Sequence, residues 1–210
     1  MADVWTYLAN WLVQDGEIPE LHTGDVLRGV ALRAASWSLR ESQGPEAVKE
    51  HRGDEQDSQL GTSYAVTGTV EATCEPGSVL LRVGNFRLVA EPNTVREVGG
   101  DGALEHYSPN FRIPRVGARA TVSCTLDVMA AYETESTFLG VPTAGLARDW
   151  LVERIRVARW ALTPTPGYTD RSTAGPLLDV EEIARIHRWA DERDPAGEKA
   201  AYLLDLRTTN

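Results

Sequence analysis

Lysine and cysteine are scarce in this sequence, and no hydrophobic run is long. Lys49 and Lys199 are its lysines, Cys74 and Cys124 its cysteines. Two cysteines cannot build a disulfide framework, they are not spaced as a CxxC redox or zinc motif, and a reducing compartment keeps them as thiols. No stretch approaches the roughly 18 apolar residues of a membrane helix, and the N-terminus lacks the basic start of a signal peptide. The expectation is a cytoplasmic protein without membrane contact. Positive charge is in deficit, with 21 lysines and arginines against 31 acidic residues and a formal net charge of -10. That balance repels nucleic acid and anionic membranes and favours a protein partner with a basic surface. The near-absence of lysine among the bases is explained as well by GC-rich coding as by a need for bidentate arginine pairs.

Chemical signatures are missing too. There is no GxxxxGK[ST] phosphate loop and no GxGxxG between a strand and a helix. A GxSxG elbow and an HExxH pair are equally absent. Gly99-Gly100-Asp101-Gly102 follows Val95-Arg96-Glu97-Val98 without a helix behind it and reads as a loop tip. The four histidines, His22, His51, His106 and His187, stand in no catalytic frame. His51 and Asp54 have a spacing that serves a metal on a helix, but their surroundings show no helical period and lack further ligands. His187 and Asp191 form an i,i+4 pair of the kind found on helix surfaces. The sequence therefore implies no cofactor and no metal, and leans away from an enzyme.

What is present is an ordinary globular composition. The 210 residues are 42% hydrophobic and 25% charged, enough for one domain with its own core. Residues 3–13 satisfy both a strand and a helix pattern, with aromatic and β-branched content tilting the reading to a strand. Gln14-Asp15-Gly16 marks a turn, and Gly24-Asp25 opens an extended run from Val26. Residues 41–61, acidic and rich in Gly and Pro without apolar period, read as a mobile surface loop. Beyond it, Tyr64, Val66, Gly68, Val70 and Ala72 alternate with polar neighbours. Val79–Val83 and Phe86–Val89 flank Gly84-Asn85 as a two-residue hairpin. The clearest alternation runs from Ala118 to Tyr132, a length that implies a coiled, barrel-like sheet. Residues 150–160 fit a strand or a helix, with strand preferred. The Pro-rich 163–178 segment reads as an irregular connector.

One helix is expected, over 179–193. Asp179 can cap it, Glu182 stands three residues on as capping-box partner, and Leu178 with Ile183 forms a hydrophobic staple. Ala201–Leu206 then closes the chain as a short strand or docking segment. The fold expected is mainly β (α+β), a curved antiparallel sheet or an OB-like or other Greek-key barrel with one C-terminal helix. The barrel occupies 1–162, and 179–210 packs on the same domain. A weak echo relates the Ile18-Pro19 to Gly24-Asp25 stretch to Ile113-Pro114 and Gly117-Ala118.

Six tryptophans are a surplus for this length, and tryptophan serves both cores and interfaces. Trp37, beside the acidic loop, and Trp160, before the connector, are the candidates for exposed binding positions. Cys124 shares the face of Val122 and Leu126 and should be inert, whereas Cys74 at a strand end should be partly exposed.

The Trp-rich start, Gly24-Asp25, Thr67-Gly68-Thr69-Val70 and Tyr202-Leu203-Leu204-Asp205-Leu206 together resemble, in layout, uncharacterised actinobacterial proteins of unknown function. That resemblance implies no activity, cofactor or site. Three readings follow from the residues. The leading one is a non-catalytic protein-binding or regulatory module. The second is an enzyme or small-ligand binder at a barrel mouth, with His106, Tyr107 and Asp127 as its polar groups. The third is single-stranded nucleic-acid binding by an OB-like barrel, which the net charge disfavours.

Overall fold

A computed structural model describes residues 3–51, 63–74, 77–92, 95–98, 103–106, 110–111, 113–135, 140, 143–164, 172–187 and 198–209. The chain is mainly β, and five strands close into a barrel. These are β4 (Leu32–Glu41), β6 (Ser63–Cys74), β7 (Ser78–Val83), β8 (Phe86–Pro92) and β12 (Arg119–Val128). β6, β7 and β8 form an antiparallel meander, and β12 returns to lie antiparallel beside β6. This order is a Greek key. β4 then closes the cylinder, antiparallel to β12 and parallel to β8, so barrel edges that would otherwise need protection are paired.

Alternation explains the closure. On β12, Ala120, Val122, Cys124, Leu126 and Val128 are buried, while the residues between them are exposed or half-buried. The inward set joins Val66, Val70, Leu81 and Leu88 in one core. Gly68 is needed where β6 crosses close to β7, since a Cβ there would lie 2.5 Å from the Arg82 carbonyl oxygen. The β7–β8 turn is as expected, with Val83 paired to Phe86 and Gly84 at φ +59°. Gly84 supplies the positive φ alone; Asn85 does not share it.

A lateral sheet grows from the barrel wall. It contains β1 (Asp3–Leu8), β16 (Glu198–Thr208), β13 (Arg148–Pro164) and β14 (Ser172–Ile183) in that order, and β3 (Val26–Val30) pairs with the start of β13. β12 pairs with β6 as far as Cys124, and β1 meets it at Asp127 opposite Tyr7. The Tyr64 hydroxyl at the start of β6 accepts the Trp5 N–H at 2.7 Å, tying the two sheets at this junction. Burial raises the Tyr64 phenol above its ordinary pKa. Trp150 sits at the same boundary, 1% exposed, edge-on to Phe86 at 5.9 Å and donating to the Val30 carbonyl. One hydrophobic core runs through barrel and lateral sheet alike. The smaller elements are α1 (Asn10–Gln14), β2 (Leu21–His22), β5 (Ala47–His51), β9 (Val95–Val98), β10 (Ala103–His106), β11 (Asn110–Phe111), β15 (Arg185–Ile186) and the 3-10 turn Tyr132–Thr134.

Several expectations are corrected. The helix over 179–193 is not formed in its described part: Ser172–Ile183 is a strand on β13, and Arg185–Ile186 pairs with β2. A capping box contributes about 1 kcal/mol, less than a full ladder along β13 together with burial of Ile186. Arg159 reaches both Asp179 and Glu181, a two-residue spacing that places them on one face of a strand. Residues 188–193 lie outside the described set. The connector at 163–178 is in its described part the two arms of the β13–β14 hairpin. The acidic loop gives up 47–51 to β5, which pairs with β6; 52–61 lie outside the described residues. Residues 3–13 divide into β1 and α1, because Leu12 and Val13 both bury on the helical turn while Trp11 stays 44% exposed. The long run from Ala118 stops at Val128, where Glu133 accepts the Ala130 N–H and sets the 3-10 turn. Cys74 is 3% exposed rather than partly open.

Candidate functional site

Asp127 is the predicted site residue around which charge converges. It points away from the barrel interior, because its neighbours Leu126 and Val128 take the inward positions. Arg33, its register partner on β4, lies 3.6 Å from it, 3.4 Å from Glu91 of β8 and 3.1 Å from Glu133. Three carboxylates thus share one guanidinium on the barrel's outer wall. Burial is the main reason Asp127 is pushed up to about 6, with Arg33 opposing and the two other carboxylates adding to the rise. Glu91 is raised for the same first cause. Burial disfavours the Arg33 cation, yet the surrounding carboxylates outweigh it and hold the guanidinium charged. The arrangement is a clasp between β4, β8 and β12. Among the described residues no group of three or more His, Cys, Asp or Glu is placed to hold a metal ion.

Of the other predicted residues, the one whose side chain is described, Trp160, does not join it. Trp160 is 6% exposed in a small cluster with Ala158 and Ala201, packed by Tyr7, so its expected exposure is corrected. Trp37 lies on β4 and His106 on β10, which pairs with β9; their side chains, and Tyr107 altogether, lie outside the described residues. The strongly exposed described tryptophan is Trp11. Both cysteines are buried; burial pushes Cys74 up to about 11 and raises Cys124 further, so neither is a ready nucleophile.

An open groove of about 600 Å³ crosses β6, β7 and β8 on the barrel exterior. Ala72, Leu80 and Val116 help line it, and Glu71 grips Arg82 at 3.2 Å and Arg87 at 2.7 Å. Arg82 also reaches Glu46, and Arg87 donates to the Ala144 carbonyl. The arginines here are engaged in holding loops to the barrel.

The far edge of the lateral sheet is different. β14 pairs with β13 on one side, and among the described residues no strand covers its other side. Leu178 and Val180 are 52% and 44% exposed, and Asp179, Glu181 and Glu182 are exposed beside them. A strand edge of this kind displays unpaired backbone donors and acceptors. No sequence signal marked it, because the local pattern reads as a helix start.

Fold and surfaces together define a mainly β protein: a closed Greek-key barrel with a lateral sheet whose acidic β14 edge is unpaired among the described residues. No family model, no curated protein and no solved structure matches the chain. Among the described residues, no helix is long and apolar enough to cross a membrane.

Proposed function

We propose that the chain is a non-catalytic protein-binding module whose β14 edge takes up an extended, basic segment of a partner. The observation that carries this reading is the exposed stretch Leu178–Glu182, a one-sided strand with three carboxylates and two apolar side chains. Strand addition draws its affinity from main-chain hydrogen bonds and its selectivity from alternate side chains. Here Leu178 and Val180 offer apolar contact and Glu182 selects lysine or arginine, with Asp179 and Glu181, which Arg159 already engages, adding to the acidic field. The net charge of -10 favours encounter with such a segment by long-range attraction. A cytosolic setting accords with two buried free thiols.

A labelled peptide alternating valine with lysine or arginine tests this by fluorescence anisotropy. Saturable binding is expected, weakened about tenfold or more by E181K/E182K and lost when the peptide's basic residues are replaced by glutamate. Binding that ignores both changes, or no saturable binding, would overturn the reading.

A further inference from the structure

We infer that the outer face of β1, β16 and β13 is an oxyanion-binding site, with Arg156 supplying the fork, Trp5 the platform and Tyr7 a further donor. Val4, Thr6 and Leu8 turn inward on β1, which leaves Trp5 and Tyr7 on the opposite face. The register sets Trp5 beside Asp205 and Tyr7 beside Leu203, and Leu203 in turn beside Arg156. The Arg154 and Arg156 guanidinium carbons lie 4.9 and 4.5 Å from the Trp5 ring centroid. Trp5 and Arg156 therefore meet across the intervening strand β16, and Tyr7 stands in the same register row as Arg156, two strands away with Leu203 between them.

The two arginines are not equivalent. Arg154 is committed, directing Nε and Nη2 to one oxygen of Asp205 at 2.8 and 2.6 Å. Arg156 is half-buried and, among the described residues, forms no ion pair and donates no hydrogen bond. Glu182, its register neighbour on β14, lies beyond ion-pair distance. The Tyr7 hydroxyl likewise has no hydrogen-bond partner among the described residues. Asp205 is already satisfied by Arg154, so Arg156 is not required to balance that buried carboxylate.

A guanidinium presents five N–H donors in a rigid fork and accepts nothing. Stacking on an indole restricts the fork before a ligand arrives, which lowers the ordering cost of a bidentate contact. Against the repulsion expected from ten excess negative charges, the selection of carboxylate or phosphate oxygens rests on this local fork, which has no ion pair among the described residues. The inference stands apart from the β14 edge and survives or fails independently of it.

Calorimetric titration of the full chain with inorganic phosphate, acetate and a glutamate-rich peptide separates the sources. Saturable binding of phosphate alone indicates a phosphorylated small molecule, of acetate a free carboxylic acid, and of the peptide alone an acidic protein segment. In each case R156Q should weaken binding about tenfold or more, R156K should fail to restore it because the fork is gone, and Y7F should weaken it several-fold. Matching thermal melts confirm that the variants are folded, with R156K as the milder substitution. Absence of saturable binding to all three probes, or affinity unchanged in both Arg156 variants, would overturn the inference.

Discussion

Asp127 carries a cost whose sign is set by its surroundings. Its folded pKa near 6 exceeds the ordinary 3.8, with burial the first cause, so the folded chain holds this proton more tightly than the unfolded chain. Its contribution is fully favourable below the unfolded value and is lost as pH rises from about 4 through about 6. Asp127→Asn should remove that slope and, at pH 7.5, leave the protein more stable than the wild type by roughly 1–2 kcal/mol, since each pKa unit corresponds to about 1.4 kcal/mol. Urea denaturation of both proteins at pH 4.5 and 7.5 reads the difference, with the overall charge effect largely common to the pair. Equal differences at the two pH values would show that Asp127 is ionised throughout. Asp127 could be singled out as a polar residue on an alternating strand. Its companions could not, because Arg33 and Glu133 meet across 100 residues of chain and only the register of three strands together with the 3-10 turn after β12 brings them together.

At the scale of the element, close approach at Gly68 fixes how tightly β6 can cross β7. Gly68→Ala places a methyl 2.5 Å from the Arg82 carbonyl oxygen and 2.9 Å from Val83 Cγ2, and the carbonyl, being β7 backbone, cannot yield without displacing the strand. A loss of about 2–4 kcal/mol is expected from this overpacking, read as a lower denaturation midpoint. Gly84→Ala is the contrasting variant: its Cβ meets nothing within 4 Å, so the cost reduces to the left-handed backbone, about 1 kcal/mol. Equal losses would mean that steric closure at Gly68 is not limiting. The elements that sequence conveyed are those whose signal is local or uninterrupted, namely the Gly84-Asn85 turn and the alternation of β12. The C-terminal helix failed for a related reason. Leu178, Asp179, Glu182 and Ile183 form a complete local start signal, but the long edge of β13 offers pairing that no local pattern discloses. The same blindness hid the exposed edge of β14.

At the scale of the whole molecule, the barrel and the lateral sheet share a core through Trp150, Phe86, Val4, Leu8 and Leu206. They should unfold together, with far-UV circular dichroism and tryptophan fluorescence giving one denaturation midpoint. Trp150→Ala removes the largest fully buried side chain among the described residues and its bond to Val30, for a loss of about 3–5 kcal/mol. Two separated midpoints in the wild type would show instead that the lateral sheet is an independent unit.

The position of β16 between β1 and β13 also orders events during synthesis. The strands on either side of it are made earlier, one of them ahead of every barrel strand, and neither can pair its facing backbone groups within this sheet until residues 198–208 emerge. The barrel strands are all translated before β13 is complete, so the cylinder can form while the lateral sheet still has a vacant slot. During that interval two apolar strand edges stand open to pairing with other nascent chains. β16 is therefore a plug, and the speed with which it inserts governs how long the growing chain is exposed to misassembly.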